Sequence, residues 1–368
     1  MAGSVPVGRR NLLSDGRRVA VSLLGVGLAV ALMLLIQGLW IGTLMRITTY
    51  EDRVGAQLFI AESGTQSFLS DVSAVSSSAV GDIRTTPGVE AADPIVSRQL
   101  ILELHGKKMP VTLIGSQPGG LGGPWSLEVG RAAAADDEVV IDAGLAADHG
   151  YRLGDSFEIL GVPLEVVGLA EDARALGNGG YLFVSRSAAG ALIGTPDATS
   201  FVLVRTSNPI SVARALESRT GLEVLTAQEI ARGDRELYDQ TLGSVIRAML
   251  AIAFAAGALI VALSVYSSVA DRIHEYGIVK ALGAGFGRLL GIVLAQTGAL
   301  ALAGGVVGLG LFLLVKAAID AWLPEFHVSL PSSLLGAAFL AAAAMAVVAA
   351  LLPARRVGRL DPASVYRR

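Results

Sequence analysis

DRIHEYGIVKALGAG, Asp271 to Gly285, stands between two long apolar runs, Ala248–Ala270 before it and Leu289–Val315 after it. Neither run contains an Asp, Glu, Lys or Arg, and the same holds for Val19–Met45 and Val328–Ala354. Each is longer than the roughly 20 residues with which a helix crosses ~30 Å of hydrocarbon. The chain is therefore expected to cross a membrane four times. Composition agrees: 17% of the 368 residues are charged, against about 25% in soluble domains. One more uncharged run, Met109–Leu127, carries Pro110, Pro118, Pro124 and the string GSQPGGLGGP. So many prolines and glycines would leave backbone groups unpaired in lipid, so this run reads as a strand followed by a loop. The first apolar run exceeds the core of a signal peptide, about 7–15 residues, and is expected to stay as an anchor.

The basic residues orient the spans. Arg9, Arg10, Arg17 and Arg18 precede the first; Arg272, Lys280 and Arg288 lie between the second and third; Arg355, Arg356, Arg359, Arg367 and Arg368 follow the fourth. The segment Ala317–Pro331 has no Lys or Arg. Because basic loops stay inside, both termini and the 271–288 segment are expected in the cytosol. The expected layout is a cytosolic segment 1–18, spans at 19–45, 244–270, 289–316 and 332–353, a short outer loop 317–331, and a cytosolic basic tail 354–368.

Residues 46–243 then form an extracytoplasmic domain, with 26 Asp and Glu against 15 Lys and Arg, a net charge of −11. An acidic, solvated surface explains this, since Asp136, Asp137 and Glu138 form no ligand cluster with other residues. The chain has no cysteine, so this domain has no disulfide and must be held by its own core. Its pattern is mixed α/β. Strands are expected at Ala56–Ala61, Ile95–Leu104, Met109–Gly115, Glu138–Asp142, Ser156–Leu160, Leu164–Leu169, Tyr181–Ser185, Phe201–Arg205 and Glu223–Leu225, with turns at His105–Lys108 and Gly161–Pro163. Helical segments are expected at Ala79–Thr86, Gly144–His149, Ser211–Arg219 and Thr226–Tyr238. IRTTPGVEAADP (Ile83–Pro94) and ESRTGLEVLTA (Glu217–Ala227) echo each other, each with a Gly after a helix and a strand next. Two such halves could pack as one α/β unit, with about residues 116–198 inserted as a β-rich lobe.

Catalytic signals are absent from the sequence. It contains no G-x-x-x-x-G-K-[ST] phosphate loop and no G-x-S-x-G elbow. His274-Glu275 begins like H-E-x-x-H, but position 278 is Ile, and His105, His149, His274 and His327 are scattered. No catalytic residue, metal site or cofactor is expected in this chain. The spans hold no ionisable relay of the kind that drives ion-coupled transport. Within the uncharged runs Gln37 and Gln296 are the polar residues besides hydroxyls, and interhelical hydrogen bonding accounts for both. Any work done must draw energy from outside the chain. Small residues at fourfold and sevenfold spacing mark helix packing: Gly38 and Gly42, Gly304 and Gly308, and the series Gly291, Gly298, Gly305.

As a helix, Asp271–Gly285 intersperses Ile273, Ile278 and Leu282 with Arg272, Glu275 and Lys280, as a segment at the cytosolic interface would. A plain solvated loop would have the same composition. The spacing R-x-x-E-x-G-x-x-K-A-L-G-A, written by Arg272, Glu275, Gly277, Lys280, Ala281, Leu282, Gly283 and Ala284, resembles the signature of FtsX/MacB-type ABC transporter permeases. The terminal A-R-R-x-x-R-L-D-P-A (Ala354–Ala363) and the outer phrases TTPGVEAADPIV, EVVIDAGLAADHGYRLGD and EVVGLAED are similar to that family too. Without a fused nucleotide-binding domain, the chain resembles the shorter DevC- and HrtB-like permeases, and ALMLLIQGLWIGTL (Ala31–Leu44) favours that branch.

That resemblance implies a type VII permease of a bacterial cytoplasmic membrane. It would work as a homodimer with two copies of a separate cytosolic ATPase, which binds ATP and Mg. The 271–288 helix would sit against that ATPase, with Arg272, Glu275, Gly277, Lys280, Leu282 and Gly283 as coupling residues. Lipids are its surroundings, an extracytoplasmic partner stays open, and no nucleic acid is expected. Family members extrude amphiphiles such as glycolipids, antibiotics or haem, move lipoproteins, or transmit force to envelope enzymes. Tyr50, Glu51, Glu236 and Tyr238 flank the first two spans and read either as ligands for a substrate such as haem or as belt residues of the interface. Three classes remain in play: an ATP-driven exporter subunit, a mechanotransmission subunit without flux, and an anchored binding domain. The charged helix and the glycine-lined spans disfavour the third.

Overall fold

The computed structural model describes residues 16–358 except 105, 176–178, 272 and 324–325. The described residues form two compact units, which divide between Gly42 and Thr43 and between Leu242 and Gly243. Helix α1 spans Gly16–Ile47, and the short α2 (Thr49–Arg53) follows it.

The first half of the outer domain is two β-α-β units on one sheet. They are β1 (Leu58–Ala61), α3 (Ser77–Arg84) and β2 (Ala91–Leu104), and, from the other end of the domain, strand 201–205, helix 209–220 and strand 223–226. These are the two stretches whose sequences echo each other. Ser76 Oγ accepts from Ala79 N at 3.3 Å to cap α3, and Gly88, at φ +92°, turns the chain into β2. The strands run antiparallel to their neighbours, with β1 flanked by strands 223–226 and 201–205, and β2 paired to 201–205. Alternation along β1 sends Leu58 and Ile60 to a core with Ile83 and Leu216 beneath the two helices, and Phe59 and Ala61 to a second core on the opposite face. Both faces are covered, which is why LFIA is apolar throughout.

The β-rich lobe starts earlier than expected. β2 is long enough to serve two partners: Ala91–Ile95 pair with strand 201–205 and Val96–Leu104 with β3 (Lys107–Ser116). Pro94 sits inside β2, opposite Val202. A proline removes a ladder donor and ordinarily marks a strand end, and that disguised the strand's true start. The turn is also shorter than expected, because Lys107 and Lys108 already pair with Leu104 and Glu103; His105 lies outside the described residues. The lobe continues with β4 (Leu127–Gly130), β5 (Glu138–Asp142), α4 (Ala143–His149), β6 (Ser156–Ile159), β7 (Val162–Ala170), β8 (Tyr181–Ser185) and α5 (Arg186–Leu192). Its order from β2 is β3, β8, β5, β7, β4, with β6 on β7. The β6–β7 turn is two residues, Leu160 and Gly161, at φ +51° and +85°, the signs of a type I′ hairpin turn. The half-domain then closes with β9 (Phe201–Arg205), α6 (Pro209–Thr220), β10 (Glu223–Thr226) and α7 (Ala227–Tyr238). Thr226 and Glu229 form a capping box at the start of α7.

After a π turn at Asp239–Gly243, α8 runs Ser244–Asp271, α9 Ile273–Ala281, α10 Phe286–Trp322 and α11 Ser332–Gly358. Four helical stretches are long and apolar enough to cross a membrane. The third outlasts its uncharged run by carrying Lys316 and Asp320 four residues apart, paired at 2.6 Å. α1 and α10 touch almost backbone to backbone. A β-carbon on Gly308 would lie 2.7 Å from Gly27 O, and one on Gly304 would lie 2.5 Å from Val26 Cγ1. Gln296 Nε2 donates to Ser268 Oγ at 2.9 Å, linking α10 to α8, and Ser22 and Ser264 hydroxyls lie 2.6 Å apart between α1 and α8.

Candidate functional site

The opening stretch folds as α9 and its stop. Tyr276 and Gly277 are buried, and Tyr276 joins the apolar core of Val269, Leu289 and Val293. The opposite side, at 274, 275, 278, 281 and 282, is exposed. These positions follow the three-and-four spacing of one helical face. Leu282 is 83% exposed and Ile278 38%, so the outward stripe mixes the Glu275 carboxylate with two aliphatic side chains. An interfacial helix turned toward the protein would bury these instead.

The Ala-Leu-Gly-Ala-Gly tail is a helix terminator. Gly283 N donates to Lys280 O at 3.0 Å and Ala284 N to Val279 O at 3.2 Å. This is the bond pair of a Schellman motif with Gly283 at its left-handed position, φ +89°. Val279 and Ala284 pack on the same core, the apolar contact that accompanies such a stop. Gly285, extended at φ −66° and ψ 164°, then begins α10. The helix is thereby fixed at its inner face and at its end, and its outer face is solvent-exposed. Among the expected coupling residues, Glu275 and Leu282 lie on that face, Gly277 under it, Lys280 at its flank, and Gly283 in the stop. Arg272 lies outside the described residues.

The packing glycines separate. Gly304 and Gly308 meet α1, a β-carbon built on Gly305 would lie 3.8 Å from Ala342 Cβ, and among the described residues nothing beyond the helix's own turns comes within 4 Å of a β-carbon built on Gly291 or Gly298. Gly38 and Gly42 receive a non-helical segment: Ser329 N donates to Gly38 O at 3.1 Å, and a β-carbon on Gly42 would lie 1.8 Å from His327 O; one on Gly38 would also lie 3.7 Å from Phe312 Cε2 of α10. Nothing in the local pattern of residues 327–329 announces this strap, because its partner is backbone exposed by distant glycines. A cavity of about 360 Å³ opens between α1, α8 and α11, lined by Met33, Leu34, Ile41 and Leu250, with Gln37 and Ser333 as its polar groups.

The residues flanking the first two spans do not gather around one surface site. Tyr50 is buried, stacked 4.7 Å from Phe68 and 5.5 Å from Tyr181, and its hydroxyl donates to Gly122 O at 3.1 Å. Burial, with Glu51 beside it, pushes its pKa well up. Glu51 is also buried, whereas Glu236 is exposed and Tyr238 half-buried.

Comparison with known proteins places the whole arrangement. Residues 19–220 match the MacB-like periplasmic core domain and residues 247–362 the FtsX-like permease C-terminal domain. The chain belongs to the MacB/FtsX-type family of ABC transporter permeases. It is 24% identical over 354 residues, 95% of each chain, to an uncharacterized ABC transporter permease of Mycobacterium tuberculosis (strain ATCC 25618 / H37Rv). It is 26% identical over 252 residues to the macrolide export ATP-binding/permease protein MacB of Agrobacterium fabrum, covering 64% of this chain and 39% of that one. Among solved structures, the periplasmic region of MacB from Actinobacillus actinomycetemcomitans aligns with TM-score 0.36 and 15% identity, over 49% of this chain and 92% of that one. As a permease of this family, the protein is a multi-pass membrane protein of a system that generally includes an ATPase subunit.

Proposed function

We propose that this permease is the membrane subunit of an ATP-driven exporter, in which α9 receives the movement of a separate ATPase and the outer domain responds. The observation that carries this reading is the form of α9. It is anchored through Tyr276 and Gly277, stopped by the Gly283 turn, and presents Glu275, Ile278 and Leu282 outward. Such a face suits a docking groove with an apolar floor and a basic rim. The sequence has no phosphate loop of its own, so ATP and Mg belong to the partner, in two copies serving a permease dimer. Both termini and α9 face the cytosol by the distribution of Lys and Arg. A hydrophobic or amphiphilic substrate fits the largely apolar cavity beside Gln37.

The test is co-purification of the full chain in mild detergent, wild type beside Glu275→Lys and Leu282→Asp, with mass spectrometry and an ATP hydrolysis assay. Wild type should bring down an ATPase, and both variants should lose at least about tenfold of it, equivalent to about 1.4 kcal/mol, with thermal stability unchanged because both side chains are exposed. Absence of an ATPase with wild type, or full recovery with both variants, refutes the assignment. Stimulation of hydrolysis by a candidate amphiphile then separates export from mechanotransmission.

A further inference from the structure

Beyond export, the outer domain holds a pair of acidic side chains where acids are seldom found. Glu51, on α2, is 2% exposed and Asp234, on α7, is 0% exposed. The two helices pack on each other. Asp234 is fully served as an acceptor: Ser67 Oγ donates to Oδ1, Phe68 N to Oδ2 at 3.1 Å, and Leu69 N to Oδ1 at 3.3 Å. Among the described residues no group donates to either carboxyl oxygen of Glu51; what lies within hydrogen-bonding reach of it is another acceptor, the Asp234 carboxyl. A buried carboxylate without a donor is not a stable arrangement, and two neighbouring carboxylates cannot both ionise in a dry core. A proton on Glu51 removes both difficulties. It leaves one charge, on the carboxylate that has donors, and it turns Glu51 into a donor beside an acceptor.

We propose that Glu51 and Asp234 are a one-proton clasp between α2 and α7, closed by a proton held on Glu51 and loosened when that proton is lost. The neighbours supply nothing that would replace the proton. On α2, Asp52 accepts from Thr48 Oγ1 at 2.9 Å and meets Arg235 of α7 at 3.4 Å, and Arg235 also donates to Thr48 Oγ1 at 2.6 Å. That cation is thus engaged at the partly exposed rim. Arg53 is turned outward to Asp172 at 3.1 Å. On the inner side stand the hydroxyls of Tyr50, donated to Gly122 O, and of Tyr181, which is buried without a partner among the described residues, while Tyr238 flanks Asp234 on α7. Burial first, then the charge of Asp234, holds the Glu51 carboxyl well above the ordinary carboxylate range. The direction of the linkage follows. A proton bound more tightly in the folded than in the unfolded state stabilises fully below the unfolded Glu value, and that contribution is lost as pH rises through the folded value. The clasp is closed in acid and opens toward alkali.

Hydrogen exchange of the full chain in detergent micelles, from about pH 5.5 to about pH 9, reads this directly. The amides of Phe68 and Leu69 donate to Asp234 and report on the clasp. Corrected for intrinsic exchange, their protection in wild type should fall with rising pH by up to about tenfold per unit, the limit for one proton. In Glu51→Gln the amide donates at every pH, so protection should stay flat. Equal slopes in wild type and Glu51→Gln, or a flat wild-type profile, overturn the proposal. Infrared spectra of wild type add a readout that needs no variant to fold. A protonated carboxyl band should be present at neutral pH and bleach as pH rises, and its absence at neutral pH overturns the proposal equally.

Discussion

Replacing Gly42 by Ala tests the strap that crosses α1. A β-carbon there would sit 1.8 Å from the carbonyl oxygen of His327, where ordinary contact begins at 3.4 Å. The strap must therefore retreat by about 1.6 Å, and it is backbone, so no rotamer change absorbs the clash. Overpacking of this kind costs roughly 1–3 kcal/mol. The displacement also strains the bond from Ser329 N to Gly38 O, worth about 1 kcal/mol. Against this, Ala stabilises a helix by up to about 1 kcal/mol relative to Gly. The net expectation is a loss of roughly 1–3 kcal/mol. Gly38→Ala makes the internal comparison, because its β-carbon would stand 3.0 Å from Ser329 O and from Val328 Cγ1. A shift of a few tenths of an ångström relieves that contact, and the variant should fall within about 1 kcal/mol of wild type. Equilibrium unfolding of the full chain in mixed micelles, read by the fluorescence of Trp40 and Trp322 in a Trp125→Phe background, measures both. A Gly42→Ala protein as stable as wild type, or no less stable than Gly38→Ala, refutes the reasoning.

Two further outcomes follow from the outer domain. Tyr181→Phe removes a buried hydroxyl that has no hydrogen-bond partner among the described residues. Thermal unfolding should show equal stability or a gain of up to about 1–3 kcal/mol; a loss of more than about 1 kcal/mol would mean the hydroxyl is held. Glu138 is gripped by Arg131 and by the amides of Ala134 and Ala135, which draw its pKa down to about 2. A depressed carboxylate stabilises above its unfolded value and loses that contribution as pH falls through the folded one. Stability should therefore decline between about pH 4.5 and about pH 2, and Glu138→Gln should flatten melting temperature against pH across that window. An unchanged acid limb would remove Arg131 and Glu138 from the account.

The four spans were legible in the chain itself, because a helix that crosses hydrocarbon needs about 20 contiguous apolar residues and the four runs are written contiguously. The same is true of the α9 stop, whose Gly283 and flanking apolar residues are local signals. The paired β-α-β halves could also be read, since each carries its own glycine turn between helix and strand. What local sequence could not reveal depends on partners far apart along the chain. Pro94 argues against a strand until β9 is seen opposite it. Gly38 and Gly42 read as a seat for a helix, but the space they leave is filled by His327–Ser329, nearly three hundred residues later. Glu51 reads from sequence as a ligand or an interfacial residue, and nothing near Asp234 singles it out, since both have polar neighbours along the chain. Only the fold buries them together, because burial is set by what packs over a side chain rather than by the side chain's own charge.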